Sequence, residues 1–108
     1  MHLDISFNKL REINLTPLAQ CKALKALHLY DNKLENIDLS VLSKCKKLRN
    51  LSLNNNGITT LDISALFSCP NLMQLGLDEG VKLTADKKLK DANPPRALKP
   101  LLGNIEWY

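Results

Sequence analysis

LHLYDNKLENIDLS, residues 27–40, places leucine or isoleucine at 27, 29, 34, 37 and 39. That spacing fits neither the 3.6-residue period of a helix nor the sustained alternation of a strand. Only its opening alternates, so a short strand is expected to bury Leu27 and Leu29 while His28 and Tyr30 point out. Working outward, the same pattern returns at a shift of 24 residues in both directions. Leu27 falls on Leu3 and Leu51, Leu29 on Ile5 and Leu53, and Asn32 on Asn8 and Asn56. The agreement continues through Leu34 with Leu10 and Ile58, Ile37 with Ile13 and Leu61, and Leu39 with Leu15 and Ile63. Leu42, Cys45 and Leu48 likewise have counterparts 24 residues before and after. A fourth unit opens with Leu75 and Leu77 and then departs: Gly80 stands where the asparagine is due, and Leu83 falls one place late.

Identical units in succession set their strands side by side and parallel, about 4.8 Å apart, and return the rest of each coil along the outside. One coil has too few apolar side chains to offset the ordering of its own backbone, so burial shared between stacked neighbours makes the fold. Ser40, Ser64, and Thr16 followed by Pro17 read as N-caps of short helical or 3₁₀ turns over Leu42–Cys45 and its equivalents. Asn8, Asn32 and Asn56 recur just after the strand, where a carboxamide can both donate to and accept from backbone groups, which predicts an asparagine ladder. Cys21, Cys45 and Cys69 stack in the same way and read as small core thiols.

LHLYDNKLENIDLS and LSLNNNGITTLDIS resemble the LxLxxNxL signature of leucine-rich repeat proteins, over about three quarters of the chain. Asparagine at 8, 32 and 56 separates it from the ribonuclease-inhibitor-like arrays. The resemblance implies an α/β solenoid, a right-handed superhelix with parallel strands on the concave face and short helical or 3₁₀ turns on the convex face. Residues 1–83 read as the array, with units starting near 3, 27, 51 and 75, and 84–108 as a C-terminal cap. Within that cap, LTADKKLKDANPP reads as a short helix with Thr84 as N-cap, RALKPLLG as a second turn, and NIEWY as a segment turning Ile105 and Trp107 inward. The first coil has no such cover, so Leu3, Ile5 and Leu10 are expected to be exposed. That end calls for a preceding coil, or for end-to-end self-association through it.

The 108 residues suit one domain, 44% apolar and only 5% aromatic, so aliphatic side chains must fill the core. No apolar run is long enough to span a bilayer, and no basic-then-apolar leader follows Met1. An odd number of cysteines argues for a reducing compartment, and the expected location is cytoplasmic. The net charge is +4. Lys44, Lys46 and Lys47, expected on the convex side, form one cluster, and a second runs through the C-terminal quarter. Neither is interleaved with the aromatics a nucleic-acid site would use, so a solvated face is the plainer reading and a polyanion-binding surface the alternative.

No residue set marks an enzyme. His28 shares the strand wall with Asp4 and Ser52, but that wall is open and offers neither a pocket nor oxyanion donors. The three cysteines lack the companion ligands of a zinc site, and no glycine-rich phosphate loop is present. No cofactor, metal or small-molecule substrate is expected. Leucine-rich repeats generally bind proteins on the concave face, which by resemblance makes this chain a non-enzymatic binding module for a protein partner, the alternative being a terminal structural segment of a larger array. The alternation predicts outward columns His2–Ala26–Asn50–Gln74, Asp4–His28–Ser52–Gly76 and Ser6–Tyr30–Asn54–Asp78, flanked by Phe7, Asp31, Asn55 and Glu79. The candidate contact residues are Asp4, Ser6, His28, Tyr30, Asp31, Ser52, Asn54, Asn55 and Asp78, with Tyr30 as anchor.

Overall fold

Three-residue strands form where the alternation places them. The computed structural model describes residues 1–108. It contains β1 (His2–Asp4), β2 (Ala26–His28), β3 (Asn50–Ser52), β4 (Thr60–Asp62), β5 (Gln74–Gly76), β6 (Lys82–Ala85) and β7 (Ile105–Trp107). One parallel sheet runs β1-β2-β3-β5, with Leu3 opposite Leu27, Leu27 opposite Leu51 and Leu51 opposite Leu75. Its register advances one repeat per strand. The chain returns through short 3₁₀ helices, η1 (Thr16–Gln20), η2 (Ser40–Lys44) and η3 (Ser64–Ser68), with η4 (Lys87–Leu89) and η5 (Arg96–Asn104) further on. Parallel strands joined by short 3₁₀ turns fit a solenoid.

The core is the aliphatic column set read from the repeat: Leu24, Leu27, Leu29, Leu34, Leu42 and Leu48 are fully buried, as are their counterparts Leu66 and Leu72. Leu3, Ile5 and Leu10, in the first coil, are half-buried.

The turns start differently from the expectation. Leu15, Leu39 and Ile63 occupy the N-cap positions and make no side-chain cap bond. The capping acceptor lies one residue earlier: Asn14 Oδ1 accepts from the Thr16 N–H, Asp38 Oδ1 from Ser40 and Asp62 Oδ1 from Ser64, at 3.0, 2.9 and 2.9 Å. Each is a side chain folding its own backbone two residues on, and a carboxylate or carboxamide accepts there more strongly than a hydroxyl. Thr16, Ser40 and Ser64 are therefore donors through their backbone, not caps.

Thr84 is likewise no cap. It lies inside β6, and Asp86 is the N-cap of η4, accepting from the Lys88 N–H at 2.9 Å. β6 belongs to a second parallel sheet, β4-β6-β7, in which Leu61 faces Leu83 and Leu83 faces Ile105. Leu83 is thus the equivalent of Leu61, 22 residues on, because the link between β5 and β6 is shorter than that between β3 and β4. β-branched residues at 59, 60, 81, 84 and 105 favour strand here, whereas Glu12, Asn14, Asn36 and Asp38 occupy the corresponding stretch of the first two coils. η5 packs back onto the third coil through the Ala97 N–H, which donates to Leu72 O at 3.1 Å, and Trp107 meets Phe67 edge-on at 5.9 Å.

The asparagines form the ladder, and it has a direction. Asn32 Oδ1 accepts from the N–H groups of Asn8 and Leu10, one coil earlier, while its Nδ2 donates to Ile5 O and Leu29 O. Asn56 repeats this, accepting from Leu34 N–H and donating to Leu29 O and Leu53 O. In the fourth unit, Asp78 accepts from the Asn55 and Asn56 N–H groups. Gly80, at the expected asparagine position, turns the chain with φ +85°. The buried thiols also reach back: Cys45 Sγ donates to Leu18 O at 3.6 Å and Cys69 Sγ to Leu42 O at 3.2 Å. Cys21, in the first coil, is only half-buried.

Candidate functional site

The outward side chains of β1, β2, β3 and β5 form the candidate surface. Parallel register places His2, Ala26, Asn50 and Gln74 in one row and Asp4, His28, Ser52 and Gly76 in the next. Ala26, expected to be exposed, is fully buried. Its methyl lies between two longer side chains about 4.8 Å away on either side and is too short to reach solvent.

In the second row, His28 Nδ1 lies 2.9 Å from Ser52 Oγ. Asp4 does not complete a triad with them, because its Oδ1 accepts from the Ser6 N–H at 2.9 Å. That backbone hydrogen bond is the main cause holding the Asp4 carboxyl below its ordinary range. None of the four surface grooves is lined by His28 or Ser52.

The third row is divided in its roles. Tyr30 is half-buried and stands free of side-chain hydrogen bonds, with the His28 ring 6.2 Å away edge-on. Asn54 leans over Gly76, where a Cβ would meet its Oδ1 at 2.7 Å and displace that side chain. Ser6 Oγ is buried without a hydrogen-bond partner. Asp78 spends its carboxylate on the backbone of the preceding coil, which makes it part of the scaffold.

Phe7, Asp31 and Asn55 occupy the next turn position with φ of 62°, 56° and 57°. Aspartate and asparagine tolerate this left-handed backbone, but phenylalanine pays a steric penalty of about 1–2 kcal/mol in it. Phe7 is nonetheless 69% exposed, and its ring meets Tyr30 edge-on at 5.3 Å. The result is an aromatic row, Phe7–Tyr30–His28, raised on two neighbouring strands. Sequence reading places Phe7 only on the flank. The signal for it is a bulky aromatic in a column otherwise filled by aspartate, asparagine and glutamate.

Lys47, expected on the convex side, instead lines a groove at the starting edge of the strands, together with Lys25 and Arg49. No cluster of three or more His, Cys, Asp or Glu side chains stands where it could hold a metal ion, and no helix is long and apolar enough to cross a membrane.

A leucine-rich repeat family model matches residues 1–58, more than half of the chain. The chain belongs to the leucine-rich repeat family. The matched span takes in the strands of the first three coils and the asparagine rungs at Asn32 and Asn56. No curated protein and no solved structure matches the chain. Leucine-rich repeats typically serve as protein-interaction modules, and the open wall described above is consistent with that general role.

Proposed function

We propose that this leucine-rich repeat chain is a non-enzymatic module that binds a protein partner on its concave strand face, with the Phe7–Tyr30–His28 row as the anchor. The observation that carries the reading is Phe7, an exposed aromatic held in a left-handed backbone conformation next to Tyr30. Backbone strain concentrates at binding and catalytic positions, and exposed aromatics are favoured interface hot spots. Asp4, Ser52, Asn54, Asp31 and Asn55 supply the polar surround; Ser6 and Asp78 support the turns beneath. In this reading 1–83 is the binding array and 84–108 its closing segment, and three free thiols suit a reducing, cytoplasmic setting.

Area restrains the reading. Four three-residue strands present roughly 190 Å² in projection, from about 4.8 Å per strand and 3.3 Å per residue. A standard interface takes about 800 Å² from each partner. The turn column of Phe7, Asp31 and Asn55 therefore has to take part, which is why the anchor sits there.

Affinity capture with the chain as bait, followed by titration of the captured protein, tests this. Phe7→Asn and Tyr30→Ala should each weaken binding by roughly 1–2 kcal/mol. Phe7→Asn should leave the melting temperature nearly unchanged, since relief of the left-handed backbone offsets the lost ring contact of about 0.5–1.5 kcal/mol. Undiminished affinity in both variants would refute the concave-face reading.

A further inference from the structure

A second surface lies at the starting edge of the same strands, away from the aromatic row. The three segments that lead into β2, β3 and β5, residues 20–26, 44–50 and 68–74, hold Lys22, Lys25, Lys44, Lys46, Lys47 and Arg49 and not one aspartate or glutamate. Beyond the other ends of the strands the charges are mixed, Asp4, Asp31, Asp78 and Glu79 standing among Lys9 and Lys33. The starting edge alone is uniformly cationic. The cations are not neutralised internally, for the ion pair of this structure is Lys82 with Glu106, elsewhere. Lys46 alone is engaged, donating from Nζ to Ser68 O.

The row at the centre of this edge is rigidly mounted. Lys25 O accepts from the Arg49 and Asn50 N–H groups, and Arg49 O accepts from those of Met73 and Gln74, at 2.8–3.1 Å. Lys25, Arg49 and Met73 thus project side by side from a hydrogen-bonded ladder. They are shared by two adjoining grooves of about 410 and 420 Å³, whose remaining walls are His2, Lys47 and the carboxamides Asn50, Asn71 and Gln74. Met73 is 43% exposed and supplies the one apolar surface.

We infer that this edge is a binding groove for an acidic peptide segment of a partner protein, its carboxylates on Lys25, Lys47 and Arg49 and one apolar side chain against Met73. Arginine takes a carboxylate through two parallel hydrogen bonds, and lysine supplies a mobile point charge beside it. Carboxamides at 50 and 74 offer both donors and acceptors to a peptide backbone, and Asn71, whose Nδ2 donates to Lys46 O, offers its carbonyl oxygen. Methionine accommodates varied apolar side chains. A nucleic acid is the poorer fit, because neither groove contains an aromatic side chain on which bases could stack. The inference is independent of the aromatic row, since no residue of that row lines either groove.

Fluorescence anisotropy of the 108-residue chain with a short labelled oligoglutamate peptide containing one central leucine tests it. A glutamine version of the peptide and a short oligothymidylate serve as rivals. The acidic peptide should bind saturably and the glutamine peptide should not. Lys25→Gln with Arg49→Gln should weaken binding about tenfold, and Lys25→Glu with Arg49→Glu further. Lys87→Gln with Lys88→Gln, on η4, should leave it unchanged. Met73→Ala should weaken the leucine-containing peptide and not an all-glutamate one. Melting temperatures of all variants establish that the fold is retained. Oligothymidylate binding as tightly, with the same dependence on Lys25 and Arg49, would make the groove a nucleic-acid site and overturn the inference. So would an equal loss in the Lys87/Lys88 variant, or no saturable binding of the acidic peptide.

Discussion

At the scale of single residues, Asn32 decides more than any surface side chain. It satisfies two N–H groups and two carbonyls belonging to two coils. Asn32→Ala should destabilise by roughly 1–3 kcal/mol, since buried backbone groups are then left without partners. The control is Asn55→Gly and not Asn55→Ala: Asn55 has φ 57°, where alanine adds its own strain, whereas glycine is free of it. Equal midpoints in urea for Asn32→Ala and Asn55→Gly would refute the ladder's energetic role. Cys69 makes a second residue-scale prediction. Burial, chiefly, pushes its thiol up from 9.0 to about 11. Unfolded chains lose that proton near pH 9 while the folded one keeps it, so the stability Cys69 contributes is complete below pH 9 and lost as pH rises toward about 11. The loss should be roughly 1–2 kcal/mol after solvent screening, and Cys69→Ala should flatten this alkaline limb in denaturant titrations. At neutral pH, a thiol reagent should modify half-buried Cys21 well before Cys45 or Cys69. The repeat columns made Asn32 and the buried cysteines legible in the sequence. Cys21 differs because burial of a thiol here needs the preceding coil, and Phe7 was obscured because alternation assigns a side chain to a face but says nothing of φ.

At the scale of elements, the 3₁₀ turns depend on Asn14, Asp38, Asp62 and Asp86, none of which the repeat pattern singled out, because short polar residues around a turn look interchangeable until the donor is seen. Asp38 is held below the ordinary carboxylate range, first by the Ser40 N–H. For Asp62 burial acts upward but is outweighed by hydrogen bonds from Tyr108 and Ser64, and the net direction is also down. Depressed carboxylates stabilise the fold above their unfolded value near 3.8, and that contribution disappears as pH falls through the folded value. Asn14 already performs the same turn with a carboxamide. Asp38→Asn should therefore preserve the turn at neutral pH and reduce the steepness of acid unfolding, while Asp38→Ala should lower the melting temperature at neutral pH and also flatten the acid limb. Acid unfolding profiles of the two variants that coincide with the parent would count against this. The second sheet escaped sequence reading for a related reason: Thr60–Asp62 gains a partner only from Lys82–Ala85, whose register a shortened link shifts by two residues.

At the scale of the molecule, residues 84–108 are bound to the array by the pairing of Ile105 with Leu83 and of Thr84 with Asp62, by the Ala97–Leu72 hydrogen bond and by Trp107 against Phe67. Tyr108 adds a 2.6 Å hydrogen bond from its hydroxyl to Asp62. Leu98 and Ile105 are buried in the same core as Leu72 and Leu83. Deleting 84–108 should uncover that core and make the chain aggregate, read against the full chain by size-exclusion chromatography with light scattering. A truncated chain that stays monomeric and unfolds cooperatively would show the segment to be an appendage.

The backward reach of the asparagine ladder means that each coil is completed only after the next one has been synthesised. Every rung joins donors of one coil to an acceptor side chain encoded about two dozen codons later, and the thiols of Cys45 and Cys69 also reach back, as donors to the Leu18 and Leu42 carbonyls. While the ribosome is still translating, the N–H groups of Asn8 and Leu10 have no acceptor until Asn32 has left the exit tunnel, and Leu34 waits in turn for Asn56. A nascent chain of one coil is therefore incomplete whatever its own sequence, and each new unit finishes the one before it. Stalled translation should leave a ragged trailing coil on the ribosome's side of the array, which chaperones would meet as the last segment to become ordered.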